Sequence, residues 1–129
     1  MASPEGWLSS AIEAAAGCPA YPMAAPEGRL PPFVVYGRTA TTREQQLDGT
    51  FDAPSGTFSV TVYVDGYLAA KTAADAIREA VNNFKGPGGG SEILSTVLTD
   101  EADGSPEFLD GRDSPTYVIE HTYTIRWQE

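Results

Sequence analysis

Cysteine is almost missing from this chain: Cys18 stands alone, so no intrachain disulfide can form and no thiolate cluster exists for a metal or a redox motif. Histidine is equally scarce, with His121 alone among 129 residues. A catalytic triad would need a nucleophile and a carboxylate around that imidazole, and no Gly-x-Ser-x-Gly elbow occurs anywhere. His121 shares its parity with Ile119, Tyr123 and Ile125, which assigns it to packing, and Cys18 reads as a small, partly buried thiol. Basic residues are few. Eight Lys and Arg face eighteen Asp and Glu, and a formal net charge of −10 repels phosphate backbones on average. That excludes sequence-independent nucleic-acid binding. The tyrosines Tyr36, Tyr63, Tyr67, Tyr117 and Tyr123 therefore suit sheet packing and subunit contact rather than base stacking. Long apolar runs are absent too, none nearing the ~20 residues that span a bilayer. Ala15-Ala16-Gly17-Cys18 superficially looks like a lipoprotein cleavage site. What precedes it holds no Lys or Arg, carries Glu5 and Glu13 and lacks an apolar core, so cytosolic synthesis without a targeting signal and without a membrane partner is expected.

What is present suits one globular unit. Apolar residues make up 41% of the chain, and a chain of this length hides about 70% of its unfolded surface, enough for one domain over residues 1–129. Ser3-Pro4-Glu5 supplies a cap, a first-turn proline and an early acid, and Trp7, Leu8, Ala11, Ile12 and Ala15 follow at helical spacing, which predicts a helix from about Pro4 to Ala16. Five prolines between Pro19 and Pro32 rule out helix and central strand, leaving an irregular connector. Phe33 to Tyr36 open a strand, and Phe58, Val60, Val62 and Val64 alternate with polar residues in a second. The two pair most simply as a hairpin, with Glu44 to Gly56 as a long polar tip. After Asp65-Gly66 an apolar stripe of Ala69, Ala73, Ala76, Ile77, Ala80, Val81 and Phe84 defines a second helix. Mostly alanine, that stripe lets the helix lie close to a sheet. Glu92 to Thr99 reads as a strand, Asp100 to Pro115 as an acidic loop, and Thr116 to Trp127 as a long amphipathic strand. The predicted fold is α+β, order α-β-β-α-β-β, with about four mostly antiparallel strands and two helices packed on them.

Two stretches look like ligand motifs and fail on spacing. Gly86-Pro87-Gly88-Gly89-Gly90 follows a helix rather than a strand and has no Gly-Lys-Ser/Thr, so it reads as a flexible turn. Asp100, Glu101, Asp103, Glu107, Asp110 and Asp113 supply oxygens but not in the EF-hand order, so a solvated loop is expected, with no metal and no cofactor.

Trp7, the Pro-rich lead into PPFVVYGRT, the run TFSVTVYVDGYLAAKTAADAIREAVNNF and the closing YTIRWQE together resemble the tail-terminator, or tail-completion, proteins of long-tailed bacteriophages. The most specific part is Tyr67, Ala70-Lys71, Ala74-Asp75-Ala76 and Ile77-Arg78 directly after a strand; the chain departs at its glycine-rich insertion 86–90 and acidic loop 100–115. The resemblance implies a non-enzymatic virion protein of the tail and neck, assembled in the host cytoplasm and using no cofactor. It would form a hexameric ring on the head-proximal end of the tail tube, stop its polymerisation and dock the head–tail connector, with DNA only in transit through the lumen. Candidate contacts with neighbouring subunits or the tube are Arg43, Glu44, Asp48, Phe51 and Asp52 in the hairpin tip and Phe108 and Asp110 in the acidic loop; Phe51 and Phe108 would be the anchors unless they tuck back onto their own domain. Alternatives are another neck or tail component such as a connector or tube subunit, a small metal-dependent enzyme built on the acidic loop, or a regulatory binding module.

Overall fold

The computed structural model describes residues 4–43, 53–88, 92–108 and 115–128. Helix α1 runs Glu5–Ala16, one residue later than expected, because Pro4 takes the cap position and its carbonyl accepts the Leu8 N–H at 2.9 Å. Leu8 and Ile12 are fully buried on its inner face. Gly17 ends it in the left-handed conformation (φ 69°), donating to the Glu13 carbonyl at 3.0 Å; the missing Cβ makes that turn free of strain.

The Pro-rich connector is not wholly irregular. Ala20–Pro22 forms a short strand, β1, parallel to β2 (Phe33–Thr42), with Ala20 opposite Val34. This corrects the expectation of a bare connector without violating its physics, since β1 is an edge strand and an edge tolerates proline. β2 pairs antiparallel with β3 (Ser55–Val64), interrupted by a register shift between Arg38 and Ala40. Asp65-Gly66 then turns the chain into α2 (Tyr67–Val81), Gly66 taking a φ of +101° that L side chains resist.

Two further corrections follow the second helix. Gly86–Pro87, expected to be a flexible turn, forms the two-residue strand β4 against Glu92 and Ile93. β5 (Glu92–Asp103) continues four residues beyond the expected boundary, so Asp100, Glu101 and Asp103 belong to a strand and not to a loop. They pair with Thr122, His121 and Ile119 of β6 (Tyr117–Gln128). Among the described residues the sheet thus has six strands in the order β1-β2-β3-β6-β5-β4, all antiparallel except the β1–β2 pair. The α+β class and the mostly antiparallel sheet hold; the four-stranded order is replaced by α-β-β-β-α-β-β-β. The two additional strands are two and three residues long, too short for alternation to reveal.

Both helices cover one face. α1 lies over β1 and β2, α2 over β3 and β6, and the helices touch each other, with Trp7 stacked on Phe84 at 4.6 Å. Between the layers sit Val34, Tyr36, Phe58, Val60, Val62, Ile119, Tyr123, Ile125 and Trp127 from the strands and Leu8, Ile12, Ile77 and Val81 from the helices. The predicted alanine stripe is set one residue off: of its members Ile77 and Val81 are buried, Ala73 and Ala76 are half-buried, and Ala69 and Ala80 are exposed. Ala70 and Ala74, at 0% and 1% exposure, bring the α2 backbone close to the sheet instead. On the other face the cross-strand pairs Thr57–Thr124, Ser59–Thr122 and Val35–Thr61 form a hydroxyl-rich surface that no helix among the described residues covers.

Candidate assembly surfaces

The most specific sequence element, Tyr67 to Arg78, is a clamp between α2 and β5. Asp103 accepts from the Tyr67 hydroxyl at 2.7 Å and from the Lys71 ammonium, whose Nζ also lies 5.4 Å from the Tyr67 ring centre. The Lys71 hydrogen bond, then that of Tyr67, holds the Asp103 carboxyl below its ordinary range. Arg78 bridges Asp75 at 3.5 Å and Glu101 at 3.8 Å. The polar residues on this helix therefore fasten it to the last acidic strand residues, while its alanines pack below. At the other end of α2 the Asn82 amide oxygen caps the Leu98 N–H at 2.9 Å, the Asn83 N–H meets the Thr96 carbonyl at 2.8 Å, and β4 takes Glu92 and Ile93. The β5 edge is thereby occupied as far as Leu98.

The opposite edge is covered over a shorter stretch. β1 pairs only with Val34 to Tyr36, so β2 from Arg38 to Thr42 carries no outer strand among the described residues. Arg38 closes the core at that end: its guanidinium lies 4.6 Å from the Trp127 ring centre and donates to Glu5 of α1, Nε at 3.0 Å.

His121 packs inside as expected, 1% exposed, but in polar company. Its Nδ1 is 2.9 Å from the Tyr123 hydroxyl, and Nε2 faces Glu101 at 3.4 Å without hydrogen-bond geometry. Burial first of all pulls its pKa down, with Glu101 opposing, and burial raises that of Tyr123. Cys18 is buried and its thiol is pushed up mainly by that burial, which disfavours the nucleophilic thiolate.

Of the residues expected to make contacts, Arg43 is exposed at the end of β2. Phe108 is 65% exposed, just beyond a bridge in which Glu107 and Thr116 exchange backbone hydrogen bonds, so it does not tuck onto its own domain. Glu44, Asp48, Phe51, Asp52 and Asp110 lie outside the described residues. Sequence reasoning missed a recess of about 280 Å³ on the uncovered sheet face, lined by Met23, Ala24, Ala25, Phe33, Val35, Tyr63 and Glu107. The available signal was parity: Phe33 and Tyr63 are large aromatics at positions where their strands otherwise turn polar residues or smaller side chains away from the helices.

Among the described residues, this two-layer α+β fold leaves one sheet face without a helix and the loop residue Phe108 exposed. The model of the family described as Tail completion protein gp17 matches residues 8–106, and the chain belongs to that family of structural phage tail proteins. Among solved structures it resembles a chain of the "Virion of native gene transfer agent (GTA) particle" at 18% identity and TM-score 0.58, covering 92% of this chain and 84% of that one. A second solved chain, without a functional name, gives 18% identity and TM-score 0.62 over 97% and 90%. At that identity both establish the fold alone. No curated protein matches.

Proposed function

We propose that this protein caps the head-proximal end of the phage tail tube, assembles there as a homomeric ring of six, stops tube polymerisation and presents the docking surface for the head connector. The observation that carries the reading is the family match over residues 8–106. The likeness to a chain of a gene transfer agent virion agrees with a place in the particle. DNA passes through the lumen, and a net charge of −10 suits a channel that a polyanion must traverse without adhering.

The fold supplies suitable contact material. β2 carries no outer strand from Arg38 to Thr42 among the described residues and Arg43 follows it exposed, and this reading gives the subunit and tube contacts to Arg43, Glu44, Asp48, Phe51 and Asp52 and to Phe108 and Asp110. A ring closes by a heterologous interface, which needs two dissimilar surfaces on each subunit.

Electron microscopy of purified tails with and without this protein tests the assignment. A single annulus of the polypeptide at the end nearest the capsid, and tails that overgrow in its absence, are expected. Long tubes formed by the protein alone would make it a tube subunit, and tails of normal length without it would overturn the terminator reading.

A further inference from the structure

The recess on the uncovered face has a constructed floor, wall and rim. Its floor is the cross-strand pair Phe33 and Tyr63, stacked with ring centres 4.7 Å apart, extended by Val35 and met edge-on by Tyr21 at 6.4 Å from Phe33. Its wall is a tight turn in which the Ala24 N–H reaches back to the Pro22 carbonyl at 2.7 Å, forcing Met23 to φ +66°. That is a three-residue turn of the strained kind, and such strain at a non-glycine residue persists only where its surroundings fix it. The Met23 N–H is tied to the Tyr36 carbonyl at 2.8 Å, and its thioether lies across Gly37, where a Cβ would come within 2.5 Å of the sulfur. The rim is acidic. Glu107 lines it, held by the 2.9 and 2.6 Å backbone bonds to Thr116, and the charge of Glu120 on β6 is felt with that of Glu107 at the Tyr63 hydroxyl. No Lys or Arg lines the recess.

Stacked rings beside a carboxylate accept one kind of group particularly well. A guanidinium can lie over an aromatic face while its edge donates to a carboxylate, and the adjoining floor accepts methyl groups. We propose that this recess docks a segment of a partner protein presenting an arginine beside an apolar side chain, the apolar group settling on Phe33, Val35 and Tyr63 and the guanidinium pairing with Glu107. The inference does not depend on ring formation, because the recess belongs to a single subunit.

Amide NMR spectra of the isotope-labelled full chain, titrated with a capped leucyl-arginine amide, test it. Shifts should be confined to residues 21–25, 33–35, 61–63 and 107, saturating in the range of about 1–10 mM expected for so small a ligand. A capped leucyl-glutamate amide should leave those residues unmoved. Glu107→Gln should weaken the arginine peptide by about threefold, the scale of one exposed charge pair. Ala24→Trp, on the exposed turn, should abolish the shifts while leaving the thermal midpoint unchanged. Equal responses to both peptides, no response at about 10 mM, or persistence of the shifts in Ala24→Trp would overturn the proposal. Shifts of the same residues on dilution alone would give the recess to a second copy and overturn the partner assignment.

Discussion

Gly56 shows how little room the core leaves at one atom. A Cβ there would come 2.8 Å from Phe58 Cε2 and 3.1 Å from Trp127 Cζ3, two rings already packed edge to face at 6.1 Å. A strand glycine marks a close approach in this way, so Gly56→Ala should lose about 1–3 kcal/mol in urea unfolding, the range for overpacking a tight core. A loss within experimental error would mean that the rings yield. His121 makes a prediction in pH. Its imidazole is enclosed by Tyr123 on its own strand, Glu101 on β5, and Arg78 and Asp75 on α2, and its folded pKa is below the ordinary value of 6.5. Above that value both folded and unfolded states are neutral and no stability depends on it. As the pH falls through it the unfolded chain takes up a proton that the folded chain resists, so stability declines, by at most about 1.4 kcal/mol per unit for one proton. His121→Gln should remove that slope between about pH 6.5 and 5, before carboxylates dominate. Since the chain has one histidine, its imidazole NMR signal reports the titration directly. An unshifted or raised pKa would contradict the enclosure.

At the scale of elements, a buried residue of α2 and an exposed one in the segment after β5 should respond differently to truncation. Ile77 is fully buried against the sheet, and Ile77→Ala should cost about 2–5 kcal/mol through lost burial and the cavity left behind. Phe108→Ala should leave the thermal midpoint within about a degree, because a ring so exposed contributes little to the isolated fold. The same substitution should prevent tail completion if Phe108 anchors a contact. Normal tails from that variant would remove it from the interface. The long elements were legible because their periods were: the β3 and β6 alternation predicts the buried residues well. In α2 the helix is legible but its face is misplaced at the alanines, since Ala70 and Ala74 are buried and Ala69 and Ala80 are exposed, small residues on both sides of the stripe leaving its phase undetermined. β1 and β4 were not, since Pro and Gly mask strands of two or three residues that exist only because β2 and β5 offer them an edge. The acidic stretch was misjudged at Asp100 to Asp103 for a related reason. Carboxylates look like loop until Lys71, Tyr67 and Arg78 on another element hold two of them in place. Of the residues expected to make contacts, Arg43 and Phe108 are exposed, while the recess depends on Phe33 and Tyr63 meeting across strands and on a turn at Met23, neither of which a linear pattern encodes.

The whole molecule carries ten more negative than positive charges, so copies brought together repel. Ring formation should accordingly be favoured when salt is raised from about 0.05 to 0.3 M, as the screening length shrinks below the spacing between subunits. Light scattering coupled to size exclusion would report this as a rise in mass. A fall would mean that complementary ion pairs dominate the interface. The sheet order places another constraint on the whole. β6 lies between β3 and β5 and is the only strand joining the β1–β3 ribbon to the β5–β4 ribbon, yet it follows both in the chain. A polypeptide still emerging from the ribosome without residues 117–128 thus holds two ribbons with no strand between them, joined only through α2. Translation must pass that keystone before the sheet can close, because a shorter copy lacks the strand on which both halves rest.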